Sequence, residues 1–445
     1  MMTIDTFGRR LRAREVTSEQ VTNECLQRIE AGNARINAFI LVMADEARRQ
    51  AREADAELAS GRDRGPLHGV PLSIKDLLDI RGTSTTAASR VREGHRAARD
   101  AVTIAHLRQA GAVFVGKTNL HEFAFGTTNE DSAFGPVRNP RDLTRSPGGS
   151  SGGAAASLVA GMALAAIGTD TGGSIRIPAA ACGAVGLKPT WGDVSADGVV
   201  PLSRALDHVG PLAQSVTDAA FVYRALLGDA QPRPLAPIPV RSLRLAVPRP
   251  YFCDLLDDEV RARFEEAIET LRAGGARVHE TEIRHANEIA PTYLHLVLAD
   301  AAAYHAATLE SMPERYTAPV RLRLEMGRYI LAEDYVRALA GRDLLRREVD
   351  AALAEHDALV LPTLPIPAPP LGADTVTLGS TAEPVRNLML RLTQLFNLTG
   401  HPAIALPCGR TSDGLPCSIQ LVGARAHTGS LLRAALACEA QMSCG

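Results

Sequence analysis

The chain has 445 residues, 46% of them hydrophobic and 22% charged, with a formal net charge of −2. That is enough apolar material for a sizeable core, and so even a charge balance excludes the strong fields that draw proteins to nucleic acid or to an anionic membrane. Of the 48 lysines and arginines only Lys75, Lys117 and Lys188 are lysines, and a buried ammonium, unlike a guanidinium, can give up its proton and act as a base.

Residues 1–20 hold no apolar run of signal-peptide length and mix arginines with acids, which points to a cytoplasmic protein. Residues 1–60 read as a helical layer, with a capping signal at Thr17-Ser-Glu-Gln20 and a charged, alanine-rich helix over 44–59. From Gly65 the pattern changes to short apolar runs bounded by Gly and Pro. Val70–Lys75 and Ala112–Gly116, with a helix between them, predict strand, helix, strand and a largely parallel sheet. The apolar run Gly153–Gly168 is too short and too rich in Ala and Gly for a membrane span, and reads as a buried helix. Residues 231–241 look like a surface connection, after which Leu243–Pro248 resumes the sheet. Residues 257–273 and 286–355 read as helical, an insertion or lid, and Ala358–Thr363 as a buried strand. A hairpin over 403–421 would close the sheet. The expected organisation is one domain over 1–445: a helical layer to 60, a core at 65–230, a mainly helical insertion at 255–355 and completing strands at 356–445. Seven cysteines (Cys25, Cys182, Cys253, Cys408, Cys417, Cys438, Cys444) form no CxxC pair and the 12 histidines show no ligand spacing, so neither a disulfide framework nor a metal is expected.

Two glycine-serine turns, Gly148-Gly-Ser-Ser-Gly-Gly153 and Thr171-Gly-Gly-Ser174, flank the apolar run. A single such turn is usually a linker, and a single lysine usually structural. A linker, however, has no reason to bracket a packed apolar segment. A serine hydroxyl becomes a nucleophile only when a base takes its proton and donors receive the charge that develops on the carbonyl oxygen. Glycines at 172 and 173 let successive amides converge on one point beside Ser174, and Lys75 on an apolar strand is the base candidate. No serine stands three residues before any lysine, which excludes the SxxK arrangement. A GxSxG match at Gly148–Gly152 follows a polar, proline-bounded loop instead of the strand that a nucleophile elbow requires.

These residues resemble the amidase signature hydrolases. The resemblance rests on Gly69-Val-Pro-Leu-Ser-Ile-Lys-Asp76, Gly116-Lys-Thr-Asn119, Asn129-Glu-Asp-Ser-Ala-Phe-Gly135, the two glycine-serine turns, Gly168–Pro178 and Gly186-Leu-Lys-Pro-Thr190. It implies an α/β fold in which a large mixed, mostly parallel sheet is covered by helices on both faces. It also implies a Ser–cis-Ser–Lys triad: Ser174 the nucleophile, Ser150 the bridge after a cis Gly149–Ser150 peptide, and Lys75 the base. The amides of Thr171, Gly172, Gly173 and Ser174 would form the oxyanion hole, and Ser151, Thr169 and Asp170 would orient the relay. Phe125, Thr127, Thr128 and Asn129 would line the substrate pocket with residues of the 286–335 segment. Arg176 would bind a substrate carboxylate, as in some relatives, or serve as a structural arginine. Lys117 and Lys188 would be structural. No cofactor is implied, the partner would be a small amide or carbamate, and homodimers are common among relatives. The apolar tone of Leu294–Leu298 and Tyr304 favours aryl amides, esters and carbamates over dicarboxylic monoamides. One alternative is the glutamine-hydrolysing A-type subunit of a tRNA-dependent amidotransferase. Such subunits carry an acidic substrate-binding residue in a segment resembling MYLSD, whereas the comparable stretch here, Asn387–Gln394, has no acid. Another is an inactive amide-binding protein, against which stands the presence of all three triad residues.

Overall fold

The apolar runs assemble into one eleven-stranded sheet in this computed structural model, which describes residues 2–232 and 235–443. Arg233 and Pro234 of the expected surface connection, and Cys444, lie outside the described residues. The N-terminal layer is α1 (Ile4–Arg12), α2 (Ser18–Ile36) and α3 (Ala44–Ala59). The capping signal works as read: the Gln20 amide donates to the Thr17 hydroxyl, and the Thr17 amide donates to the Gln20 side chain. This layer also contains a strand that the sequence reading missed, β1 (Phe39–Val42). Four residues are too few to display a period, and β1 is recruited by pairing with a strand far along the chain.

The core follows as β2 (Pro71–Lys75), α4 (Val102–Gln109), β3 (Val113–Thr118), α5 (Gly152–Val159), β4 (Ala165–Asp170), α6 (Arg176–Cys182), β5 (Val185–Lys188), β6 (His208–Ala213) and α7 (Val216–Leu226). The run 153–168, expected as a single helix, is instead a helix and a strand. Gly161, at φ +69°, ends α5: its amide donates to the Leu158 carbonyl and the Met162 amide to the Ser157 carbonyl, a Schellman closure. Next come β7 (Arg244–Pro248), α8 (Asp258–Ala273), β8 (Arg277–Thr281), α9 (Ile289–Ser311), α10 (Ala318–Gly327), α11 (Ala332–Leu353) and β9 (Ala358–Pro362). A separate hairpin, β10 (Thr375–Leu378) with β11 (Thr381–Pro384), precedes α12 (Val385–Arg391) and α13 (Leu395–Thr399). β12 (Ala403–Arg410), β13 (Pro416–Val422) and α14 (Thr428–Ser443) close the chain's described part.

The strand order is β1-β3-β2-β4-β6-β5-β12-β13-β9-β7-β8. Parallel pairing occurs in two patches, β3-β2-β4 and β8-β7-β9, and the strands between and beyond them pair antiparallel. Strands β2, β3, β4 and β6 are buried at every residue, which is why they read as continuous apolar runs without alternation. The edge strand β8 carries Arg277, His279 and Glu280 towards solvent, a polar margin that discourages further pairing. Among the described residues no helix is long and apolar enough to cross a membrane.

Candidate active site

Lys75 is the last residue of β2, and Thr169 and Asp170 are the last two of its parallel neighbour β4, so all three sit at the carboxyl ends of parallel strands. Ser150 and Ser151 lie just before α5, and the Gly149–Ser150 peptide is cis. The Lys75 Nζ, wholly buried, donates hydrogen bonds of 2.8 Å to each of the Ser150, Ser151 and Thr169 hydroxyl oxygens. Three acceptors match the three N–H groups of an ammonium, yet among the described residues no carboxylate touches it. Burial, only partly offset by Asp170 and Asp207 at longer range, lowers it from lysine's ordinary 10.5 to about 7.

The Ser151 hydroxyl is committed, since its own O–H donates to the Thr169 carbonyl at 3.1 Å. Ser174 stands against the same turn: the Ser151 amide donates to the Ser174 carbonyl at 3.2 Å, and only 6% of the Ser174 surface is exposed. No hydrogen bond joins the Ser150 and Ser174 hydroxyls among the described residues; catalytic contacts are often long in a free enzyme and tighten on substrate.

The loop from Thr171 to Ser174 is held from three sides. Asp170 accepts from the amides of Ile175 (3.1 Å) and Arg176 (3.4 Å), Thr171 Oγ1 donates to Asp207 (2.6 Å), and Thr393 Oγ1 donates to the Gly172 carbonyl (2.6 Å). With the loop so fixed, none of the amides of Thr171, Gly172, Gly173 and Ser174 has a protein acceptor among the described residues. Gly173, at φ +142°, adopts a conformation open to glycine. Half-buried Asp207 also accepts from the Leu202 and Ser203 amides, and desolvation pushes its carboxyl up to about 6.

Of the two roles expected for Arg176, its contacts fit the structural one. The side chain is fully buried and all five of its N–H donors are spent internally: two on Asp170, and one each on the Thr393 carbonyl, Gln420 and Asn397. No donor is left for a substrate carboxylate. Burial alone would raise the Asp170 carboxyl, but Arg176, with Lys188 and Asn397, outweighs it and holds the group well below the usual carboxylate range. The other two lysines are buried as well. Lys117 pairs with Asp76 at 2.7 Å, and Lys188 donates to the Pro189 and His401 carbonyls.

Of the expected pocket residues, Phe125 and Thr127 are buried, and the backbone of Thr127, Thr128 and Asn129 packs on Gly149 so closely that a Cβ there would lie 2.8 Å from the Asn129 nitrogen. Asn129 Oδ1 accepts from the Gly152 amide at 2.9 Å, tying the first turn of α5 to that wall. A cavity of about 360 Å³ is bounded by Tyr251, Tyr293, Leu294, Arg386, Leu390 and Gln394, among others. Tyr293 and Leu390 close on Gly172, where a Cβ would collide with both. Leu294 lines the cavity as expected, whereas Leu296, Val297 and Leu298 turn into the core and Tyr304 faces solvent. Asp207, Thr393, Asn397 and Gln420 were not anticipated. Three of them lie more than 200 residues beyond the loop they brace, and no local pattern marks them. Among the described residues no group of three or more His, Cys, Asp or Glu could hold a metal ion.

A family model described as amidase matches residues 20–432. An amidase of Pseudomonas putida is 42% identical over 98% of this chain and 95% of its own length. The A-type subunit of the glutamyl-tRNA(Gln) amidotransferase of Koribacter versatilis is 37% identical over 99% and 98%. Among solved structures, the crystal structure of an amidase superposes with a TM-score of 0.93 at 39% identity, covering 99% of this chain and 100% of that one. The chain belongs to the amidase family and is a hydrolase of amide C–N bonds.

Proposed function

We propose that the chain hydrolyses carboxylic amides through an acyl-enzyme on Ser174, with Lys75 as base and Ser150 as relay. The observation that carries this reading is a buried lysine near neutrality in contact, among the described residues, with three hydroxyls and no carboxylate. Once Lys75 is neutral it has two N–H groups and one lone pair. Ser151, whose proton is committed to the Thr169 carbonyl, must accept one N–H, and Thr169 accepts the other. The lone pair then takes the proton of Ser150, and Ser150 takes that of Ser174. Ser174 Oγ bonds to the substrate carbonyl carbon, and the oxyanion takes hydrogen bonds from the free amides of residues 171–174. The proton returns through Ser150 to the leaving nitrogen as the C–N bond breaks. A water molecule deprotonated by the same relay attacks the acyl ester and regenerates Ser174.

The aromatic and aliphatic side chains of Tyr251, Tyr293, Leu294 and Leu390 around the cavity support aryl amides, esters and carbamates as the substrate range. The likeness to A-type amidotransferase subunits favours glutamine as a second reading. Against it, the 387–394 segment meets Gly172 through Leu390 and Thr393 and carries no acid to receive a substrate ammonium there.

The test is hydrolysis of 4-nitroacetanilide, a nitrophenyl carbamate, benzamide and glutamine by the wild type, Ser174→Ala and Lys75→Ala. Turnover of anilide or carbamate that falls by at least ~10⁴-fold in Ser174→Ala and ~10³-fold in Lys75→Ala supports this reading. Cleavage of glutamine alone favours the second, and activity that survives Ser174→Ala overturns the mechanism.

A further inference from the structure

Arg386, on α12, is a charge with no counter-ion. Its side chain lines the cavity whose Tyr293 and Leu390 walls close on Gly172 of the oxyanion loop. Its Nε is buried with no hydrogen-bond partner, and among the described residues no carboxylate forms an ion pair with it. Arg391 lines the same cavity. Its guanidinium stacks on the Tyr251 ring at 3.8 Å and donates to the Tyr251 carbonyl at 2.9 Å, but its Nε too is buried and unpartnered. Arg176, by contrast, has all five of its donors satisfied within the fold. Both side chains are half-buried, so it is the buried Nε of Arg386 and of Arg391 that lacks water and an acceptor alike, a cost that a ligand in the cavity would relieve. The charged groups facing Arg386 do not relieve it. Arg323, near enough to feel its charge, is itself a cation and is paired with Asp131 at 3.9 Å, burial lowers His121 towards its neutral form, and Glu383, the sole carboxylate on the cavity wall among the described residues, is not in ion-pair contact.

We propose that this cavity is an anion subsite in which Arg386 and Arg391 bind a carboxylate carried by the amide substrate, while Tyr251, Tyr293 and Leu294 hold its apolar body. The natural substrates are then carboxylate-bearing amides, and the aryl and carbamate range describes the tolerance of the same pocket. Planar, bidentate geometry makes a carboxylate the fitting occupant of a guanidinium. As a statement about which amides are cleaved, this rests on the hydrolase reading of Ser174; as a statement about binding, it does not.

The probes are glutaranilic acid, the monoanilide of glutaric acid, and valeranilide, its neutral counterpart. Binding is measured by calorimetry on Ser174→Ala protein, where nothing turns over, and kcat/KM on the otherwise wild-type chain. The acid is expected to bind, and to be hydrolysed, about ten- to a hundredfold better than valeranilide. Arg386→Met should bring that ratio close to one, chiefly through KM, and Arg386→Lys should retain part of it. Arg386→Gln, which is shorter but keeps a hydrogen-bonding side chain, serves as the second variant if the methionine protein fails to fold. Equal binding of the two probes, or a preference that survives both neutral variants, overturns the subsite. Carboxylate-dependent binding without turnover of either anilide by the wild type upholds the subsite and overturns the proposed aryl-amide substrate range instead.

Discussion

Lys75 ties activity to pH in a direction that can be stated beforehand. The ammonium dominates below its value of about 7 and has no lone pair, so kcat/KM should rise with pH through an inflection near 7 and level off above it. A plateau that continues down to pH 5 would contradict a lysine base. Thr169→Val refines the test. Its hydroxyl accepts from the ammonium at 2.8 Å, a charge-assisted bond that favours the protonated form. Deleting it should lower the lysine pKa further and move the acidic limb to lower pH, which a pH series on the variant would reveal. Lys75 was legible in the sequence because lysine is so scarce, and all three lysines prove to be fully buried. Arg176 was not legible: a motif letter cannot distinguish an arginine offered to substrate from one whose donors are consumed by Asp170, Asn397, Gln420 and a carbonyl.

The β4–loop–α6 element carries the site because its glycine-rich turn is braced rather than slack. Thr393→Val removes the donor on the Gly172 carbonyl, and the freed loop should lose roughly tenfold in kcat with little change in KM, by the sensitivity of catalysis to small misplacements. An unchanged kcat would mean that Asp170 and Asp207 suffice. Arg176→Met should be far more damaging, since it leaves the buried Asp170 carboxylate without its partner. A loss of about 3–5 kcal/mol in urea unfolding is expected. At this scale the sequence carried much of the answer: the capping box at Thr17, strands β2 and β3, and both serine turns are local patterns. Where it failed, the cause was tertiary. β1 is too short to show a period, and the break at Gly161 looks like any small residue in an apolar run until its φ is known.

Across the whole molecule, the chemistry gathers at the carboxyl ends of a parallel patch, where Lys75 and Asp170 terminate adjacent strands, while the second half of the chain folds over to supply the walls. The motif-bearing segment from 69 to 190 thus displayed Lys75, Ser150 and Ser174, the proposed base and serines, in order. Tyr293, Arg386, Leu390 and Thr393 could not be read, because their roles exist only once α9, α12 and α13 meet the oxyanion loop. The central claim is that Ser174 is acylated by way of Lys75, and intact-protein and peptide mass spectrometry after mixing with a nitrophenyl carbamate test it most directly. One carbamoyl adduct is expected on the peptide containing Ser174, absent in Ser174→Ala and formed about a thousandfold more slowly in Lys75→Ala. An adduct on any other residue, or one that forms on Ser174 at an undiminished rate without Lys75, would contradict it.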